Sequence, residues 1–219
     1  MKMPNWVIVG TQFGDEGKGK IIDVLTEKFD IVVRYQGGNN AGHTVMVGDE
    51  KYILHLIPSG IVRKGKLNII AHGCVIDPIA LEKEIDYLVK NKGLVVNENT
   101  LNIAENAHIV TPARRIEDVL KELERGREKI GTTCKGIGPT YTKKVEQKGL
   151  QIRKLLIKDD LEKKLRKIIE EDNFNIKLRI QRIREKYSKQ ENLKEDEKKL
   201  KNLRLIQLIN DSFYNVDLI

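Results

Sequence analysis

Apolar and polar positions change period several times along the chain, and each change marks an element. Trp6-Val7-Ile8-Val9-Gly10 is a nearly continuous apolar run, and Ile21-Ile22-Asp23-Val24-Leu25 lies a short way beyond it. Between them stand Gly14, Gly17 and Gly19, so the order reads as strand, glycine-rich turn and helix. Ile31–Tyr35 is a second β-branched run. With a helix over Lys20–Lys28 between them, the two runs predict a βαβ unit and a parallel strand pair. Thr44–Val47 and Lys51–Leu56 flank Gly48-Asp49, the pattern of a β-hairpin broken by Pro58-Ser59-Gly60. Leu67–Ala71 and Leu101–Ala104 predict further strands. Leu81, Ile85 and Leu88 share one helical face, opened by Pro78 behind an Asp77 N-cap and closed by Asn91-Lys92-Gly93. Ile116, Val119, Leu120 and Leu123 mark another helix, ending at Gly126.

From Asp159 onward the pattern is helical. Leu161, Leu165, Ile168 and Ile169 form one stripe, and Ile176, Ile180, Ile183 and Tyr187 another. Ser188–Lys201 is highly charged and reads as a solvated helix or connector, before Leu200–Ile209 recovers an apolar face. The fold class expected is α/β: a mostly parallel sheet with a phosphate-loop-like nucleotide site, plus a helical C-terminal segment. Residues 1–156 are expected to form the nucleotide-binding portion, with 157–219 a helical part of the same domain. The apolar end Asp217-Leu218-Ile219, just after a helix, reads as an interruption, so a truncated fold is expected.

Composition narrows the partners. A net charge of +8 is spread along the chain rather than gathered in one block, so phosphorylated small molecules fit better than nucleic acid. Cys74 and Cys134 are far apart, and no signal peptide or membrane-spanning run is visible. A cytoplasmic protein with reduced thiols and no membrane contact is expected.

The candidate chemistry sits in the glycine-rich loops. Gly14-Asp15-Glu16-Gly17-Lys18-Gly19-Lys20 matches the phosphate-loop pattern except at its last position, where Ile21 replaces Ser or Thr. Backbone N–H groups, a helix N-terminus and two lysines suit an anion. With no hydroxyl at that position, Asp15 is the evident carboxylate for Mg²⁺. The alternative is a solvated turn; the strand-to-helix context favours phosphate. Gly37-Gly38-Asn39-Asn40-Ala41-Gly42-His43-Thr44 is a second loop, placed at the carboxyl edge of the sheet beside the first. A lone histidine is most often a hydrogen-bonded loop residue, but His43 opposite a phosphate site suits proton handling at neutral pH. Gly131-Thr132-Thr133-Cys134-Lys135-Gly136-Ile137-Gly138-Pro139 is a third, fitting a phosphate and a plain mobile loop equally well. His72 with Cys74 offers too few ligands for a metal, and His108, in an apolar run, reads as structural.

Thr11–Lys20, Arg34–Thr44, His55-Leu56-Ile57-Pro58-Ser59-Gly60, Ile130–Thr133 and Gly136–Pro139 together resemble adenylosuccinate synthetase, in order and most closely over residues 5–156. The resemblance implies GTP-dependent ligation of IMP and L-aspartate to adenylosuccinate in AMP synthesis, by a homodimer using Mg²⁺. It implies Asp15 as general base and metal ligand, His43 as general acid, and Lys18 neutralising phosphoryl charge. Gly14, Asp15, Glu16, Gly17, Lys18, Gly19, Lys20, Gly42, His43 and Thr44 would line the GTP site. Asp15, Glu16, Gly17, Lys18, Asn40, Ala41, Gly42, His43, Thr133 and Gln147 would line the IMP site. Asp15 and the Gly42 carbonyl would hold the metal.

Two departures from the family stand out. Gln147 occupies the place of an Arg that reaches the partner subunit's IMP phosphate, and an amide cannot reproduce a guanidinium fork, though Lys144 or Lys148 would supply charge. Family chains are also much longer, and their later half carries guanine and aspartate recognition. The isolated chain is therefore expected to be inactive and prone to association. The alternatives are a non-catalytic IMP- or phosphate-binding remnant, and a phosphotransferase using the same loops, for which no acceptor site is visible.

Overall fold

A computed structural model describes residues 5–11, 17–128, 130–157 and 161–188. Gly14, Asp15 and Glu16, the charged stretch beyond Ser188 and the apolar face expected over Leu200–Ile209 lie outside the described residues.

The β-branched runs build a parallel ladder. α1 (Lys18–Thr26) leads into β1 (Ile31–Arg34). β2 (His43–Val47) and β3 (Glu50–Leu54) form the expected antiparallel hairpin, Val47 facing Glu50 across Gly48-Asp49. Gly48 takes φ 60 at the first loop position, where a two-residue turn of the II′ kind favours glycine. A 3₁₀ turn at Ser59–Val62 then delivers the chain to β4 (Leu67–Ile70), which pairs parallel to β1. β5 (Val75–Ile76) and α2 (Pro78–Asp86) follow, and one π-helical turn (Tyr87–Asn91) ends at Gly93. The Asp77 carboxylate caps α2 by accepting from the Ala80 N–H at 3.2 Å. β6 (Leu101–Ile103) pairs parallel to β4, giving the order β1-β4-β6. β7 (His108–Ile109) pairs parallel to β5. α3 (Pro112–Arg125), α4 (Ile137–Val145), the short α5 (Ile152–Leu155) and α6 (Leu161–Ser188) complete the described chain. The class is α/β with a mostly parallel sheet and a long helix toward the C-terminus.

The expected strand at Trp6–Gly10 is not formed, nor is its pairing with β1. Val7 is 74% exposed, and Trp6 and Val9 are also exposed. A β-branched run becomes a strand only where a neighbour takes up its backbone groups, and among the described residues no strand pairs with this run. The segment is held by side-chain contacts instead. The Tyr35 hydroxyl donates to the Ile8 carbonyl at 2.9 Å, and Trp6 meets Phe29 edge-on at 5.5 Å.

The chain packs as two units, Met1–Val110 with Lys143–Leu156, and Thr111–Thr142 with Ile157–Ile219. The first has a core of Leu54, Leu56, Ile57, Ile70, Cys74, Ile76 and Leu88 under the sheet, where burial of each large aliphatic side chain contributes about 1.5–3 kcal/mol. Gly73 lies so close to the Tyr35 carbonyl that a Cβ would overlap it. The second unit packs α3 on α6 through Leu120, Ile176 and Ile183. Beside them Arg114, Glu117 and Asp172 form a buried ion-pair cluster.

Candidate functional site

Helix α1 starts on Gly17, whose φ of 80 favours a residue without Cβ and turns the chain into the helix without a side-chain cap. A helix begun this way presents its first N–H groups to whatever stands before it, with Lys18 half-buried and Lys20 exposed beside them. Gly19, in the first turn, faces His43. A Cβ there would lie 3.2 Å from both Cβ and Cγ of the histidine. The first turn of α1 and the end of the second glycine-rich loop are thus brought together.

The second loop is fastened from below by residues to which the sequence reading gave no supporting role. The Arg34 guanidinium, at the end of β1, donates to the Gly38 carbonyl at 2.6 Å and the His55 carbonyl at 2.5 Å. Glu84, buried on α2, accepts from three successive N–H groups, His55, Leu56 and Ile57, at 2.8, 2.9 and 3.2 Å. The His55 ring in turn backs Gly42 so closely that a Cβ would sit 3.0 Å from its Cε1 and Nδ1. A signal for Glu84 was present: it stands three residues after Leu81, a carboxylate on an otherwise apolar helix face. His43 is half-buried, while Asn40, Ala41, Gly42 and Thr44 are exposed. Burial, then the nearby Arg34 and His55, hold the His43 imidazole below its usual pKa.

In the second unit the third loop, Gly131–Gly136, leaves Thr133 exposed and places Cys134 at φ 53. Two buried carboxylates of α3 hold it. Asp118 accepts from the Gly136 N–H at 2.9 Å and from the Thr132 hydroxyl at 3.4 Å. Glu122 accepts from the Gly131 N–H at 2.9 Å and from Arg125 at 2.6 Å. Burial alone raises the Glu122 pKa, but those donors and the Thr132 N–H bring it below the usual carboxylate range.

Gln147 ends α4 in the left-handed region at φ 60, exposed. Lys144 donates to the His72 carbonyl at 2.6 Å, tying α4 to the turn before β5. His108 is buried, as a structural histidine should be, with Gly149 against its ring. Among the described residues no group of three His, Cys, Asp or Glu side chains is arranged to hold a metal, and no helix is long and apolar enough to cross a membrane.

A parallel sheet, a helix begun on left-handed glycine and a histidine packed on its first turn define an α/β protein of phosphate-loop-like topology. The model of the adenylosuccinate synthetase family matches residues 7–216, and the chain belongs to that family. The adenylosuccinate synthetase of Clostridium novyi is 51% identical over 176 residues, 80% of this chain and 41% of its own length. That of Clostridium perfringens is 52% identical over the same shares. The fully ligated adenylosuccinate synthetase from Plasmodium falciparum superimposes with a TM-score of 0.68 at 31% identity, covering 90% of this chain and 47% of that one. The chain thus spans 41% of the length of the two clostridial relatives.

Proposed function

We propose that this chain supplies the phosphoryl-transfer and IMP-binding part of a GTP-dependent ligase that joins IMP and L-aspartate into adenylosuccinate. The observation that carries the reading is the packing of Gly19 on His43, which sets a proton-handling side chain against an anion-binding helix start. Asp15 takes the N1 proton of IMP, so electron density moves to O6. O6 attacks the γ-phosphorus of GTP and GDP leaves. The aspartate amine then attacks C6 and phosphate departs. Lys18 offsets the charge on the transferring group, and His43 donates a hydrogen bond to it. Its lowered pKa reflects the phosphate-free chain, and a bound γ-phosphate opposes that shift. Asn40 and Thr133 hold IMP. Such transfers depend on positioning and charge compensation more than on covalent chemistry by the protein.

Carboxylate and carbonyl oxygens, as at Asp15 and Gly42, are the donors that Mg²⁺ takes. A Mg²⁺ bound mainly by nucleotide phosphates needs one or two protein oxygens, and Gly42, beside His43, is exposed. Asp15 and Gly42 would hold the ion, which neutralises the β- and γ-phosphate oxygens when bound. The homodimer and the cytoplasmic setting belong to the same proposal.

The test is IMP binding by the full chain, measured by calorimetry with and without Mg²⁺ and a non-hydrolysable GTP analogue. Saturable IMP binding that tightens with the analogue and is lost in Asn40→Ala supports the reading. Absence of saturable binding of either nucleotide overturns it.

A further inference from the structure

We propose that Asp118 and Glu122 are positioning residues that set the conformation of the Gly131–Gly136 loop and so determine the affinity of Thr133 for IMP. The proposal rests on the reading that Thr133 contacts IMP. Thr133 itself is exposed, and its placement depends on what fixes the loop ends. Those ends are fixed by one helix face. Asp118 and Glu122 stand one turn apart on α3, and each is only 7% exposed. Glu122 takes the Gly131 N–H at the loop entrance, and Asp118 takes the Gly136 N–H at its exit. Asp118 also receives the hydroxyl of Thr132, the residue just before Thr133.

One residue between the anchors, Cys134, holds a backbone conformation unfavourable by itself. Gly131 and Gly136 adopt φ 77 and 75, and Cys134, with a side chain, adopts φ 53. A left-handed residue of this kind persists only where the surroundings over-determine it. The exit is locked a second time, because the Gly136 carbonyl accepts from the Thr140 hydroxyl at 2.7 Å in the first turn of α4. Buried carboxylates are kept where donors satisfy them, and here those donors are the backbone of a candidate substrate loop. A single helix face therefore sets the loop at both ends while leaving its middle open to a ligand.

The loop carries its own probe. Cys134 is partly accessible and its Sγ lies 3.7 Å from the Thr132 hydroxyl, whereas Cys74, the other cysteine, is fully buried. The experiment compares the full chain with Asp118→Ala, Asp118→Asn and Glu122→Ala. It reads IMP affinity, GTP affinity, Tm and the rate of Cys134 alkylation by iodoacetamide. Asn keeps an acceptor for the Gly136 N–H and an amide that donates to the Thr132 oxygen. Asp118→Ala and Glu122→Ala are each expected to speed Cys134 alkylation and weaken IMP binding by about tenfold or more, with GTP affinity unchanged. Asp118→Asn is expected to restore both. Faster alkylation with unchanged IMP affinity overturns the proposal, as does unchanged alkylation in both alanine variants. Loss of IMP and GTP affinity together with a collapsed Tm, unrelieved in Asp118→Asn, assigns the carboxylates to folding alone and also overturns it. If the parent chain binds no IMP, the underlying reading fails, and alkylation rates still decide whether the two carboxylates hold the loop.

Discussion

Gly19 backs His43 so closely that a Cβ at position 19 would lie only 3.2 Å from the histidine Cβ and Cγ. This close approach joins the start of α1 to the start of β2, more than twenty residues apart in the chain, and it makes the position of His43 depend on the start of α1. Gly19→Ala must therefore displace the ring by a few tenths of an ångström. In an active assembly containing this chain, His43→Ala is expected to depress turnover far more than IMP affinity. Gly19→Ala is expected to do the same to a smaller degree. Steady-state kinetics beside calorimetry check this; IMP affinity lost with turnover per bound complex intact would make His43 a binding residue only.

Asp15→Asn removes both a base and a metal ligand under the proposed mechanism. In the same assembly its ligation rate is expected to fall on the order of 10²–10⁴-fold from lost general-base help alone. The circular dichroism spectrum should stay that of the parent. Ligation within about tenfold of the parent would contradict the assignment, since that falls short of the general-base range.

Glu84 is the single acceptor for three successive N–H groups, two of them buried. Glu84→Ala strands these donors, each orphan costing roughly 1–3 kcal/mol when no water replaces the carboxylate. A clear drop in the urea midpoint is expected. Glu84→Gln retains one carbonyl oxygen and should fall between the two. Equal midpoints for Ala and Gln would show that water takes over the role.

His108 supplies a pH dependence with a definite sign. Burial, and then the Lys144 charge, hold its pKa below the ordinary histidine value. Well above pH 6.5 the group is neutral folded or unfolded and has no effect. As pH falls through that value the unfolded chain takes a proton that the folded chain resists, so stability drops until the folded pKa is passed. Half-buried His43 acts in the same direction. Tm should stay level from about pH 8 to 7 and then fall toward about pH 5, less steeply in His108→Gln. A Tm that rises over the acid range would refute this account.

The chain's own order of residues was enough for the left-handed glycine that opens α1 at Gly17, the hairpin about Gly48-Asp49, the caps at Asp77 and Gly93 and the long helix after Asp159. Each rests on interactions within a few neighbouring positions, where turn chemistry, capping and periodicity act directly. The same local information suggested a strand at Trp6–Gly10 that is not formed, because strand pairing depends on a partner distant in sequence. The parallel pairing of β1 with β4 was decided at that level, as was the two-residue pair of β5 and β7, too short to show any period. The supports of the candidate site also belong to the tertiary structure. Glu84, Asp118 and Glu122 carry no motif, and Arg34, though it opens the family-like stretch Arg34–Thr44, had no supporting role assigned there; their charges look like ordinary helix and strand-end polarity in one dimension. Only folding buries the three carboxylates and half-buries Arg34, and each is matched by backbone groups of the loops it holds, at separations from 4 to 29 residues.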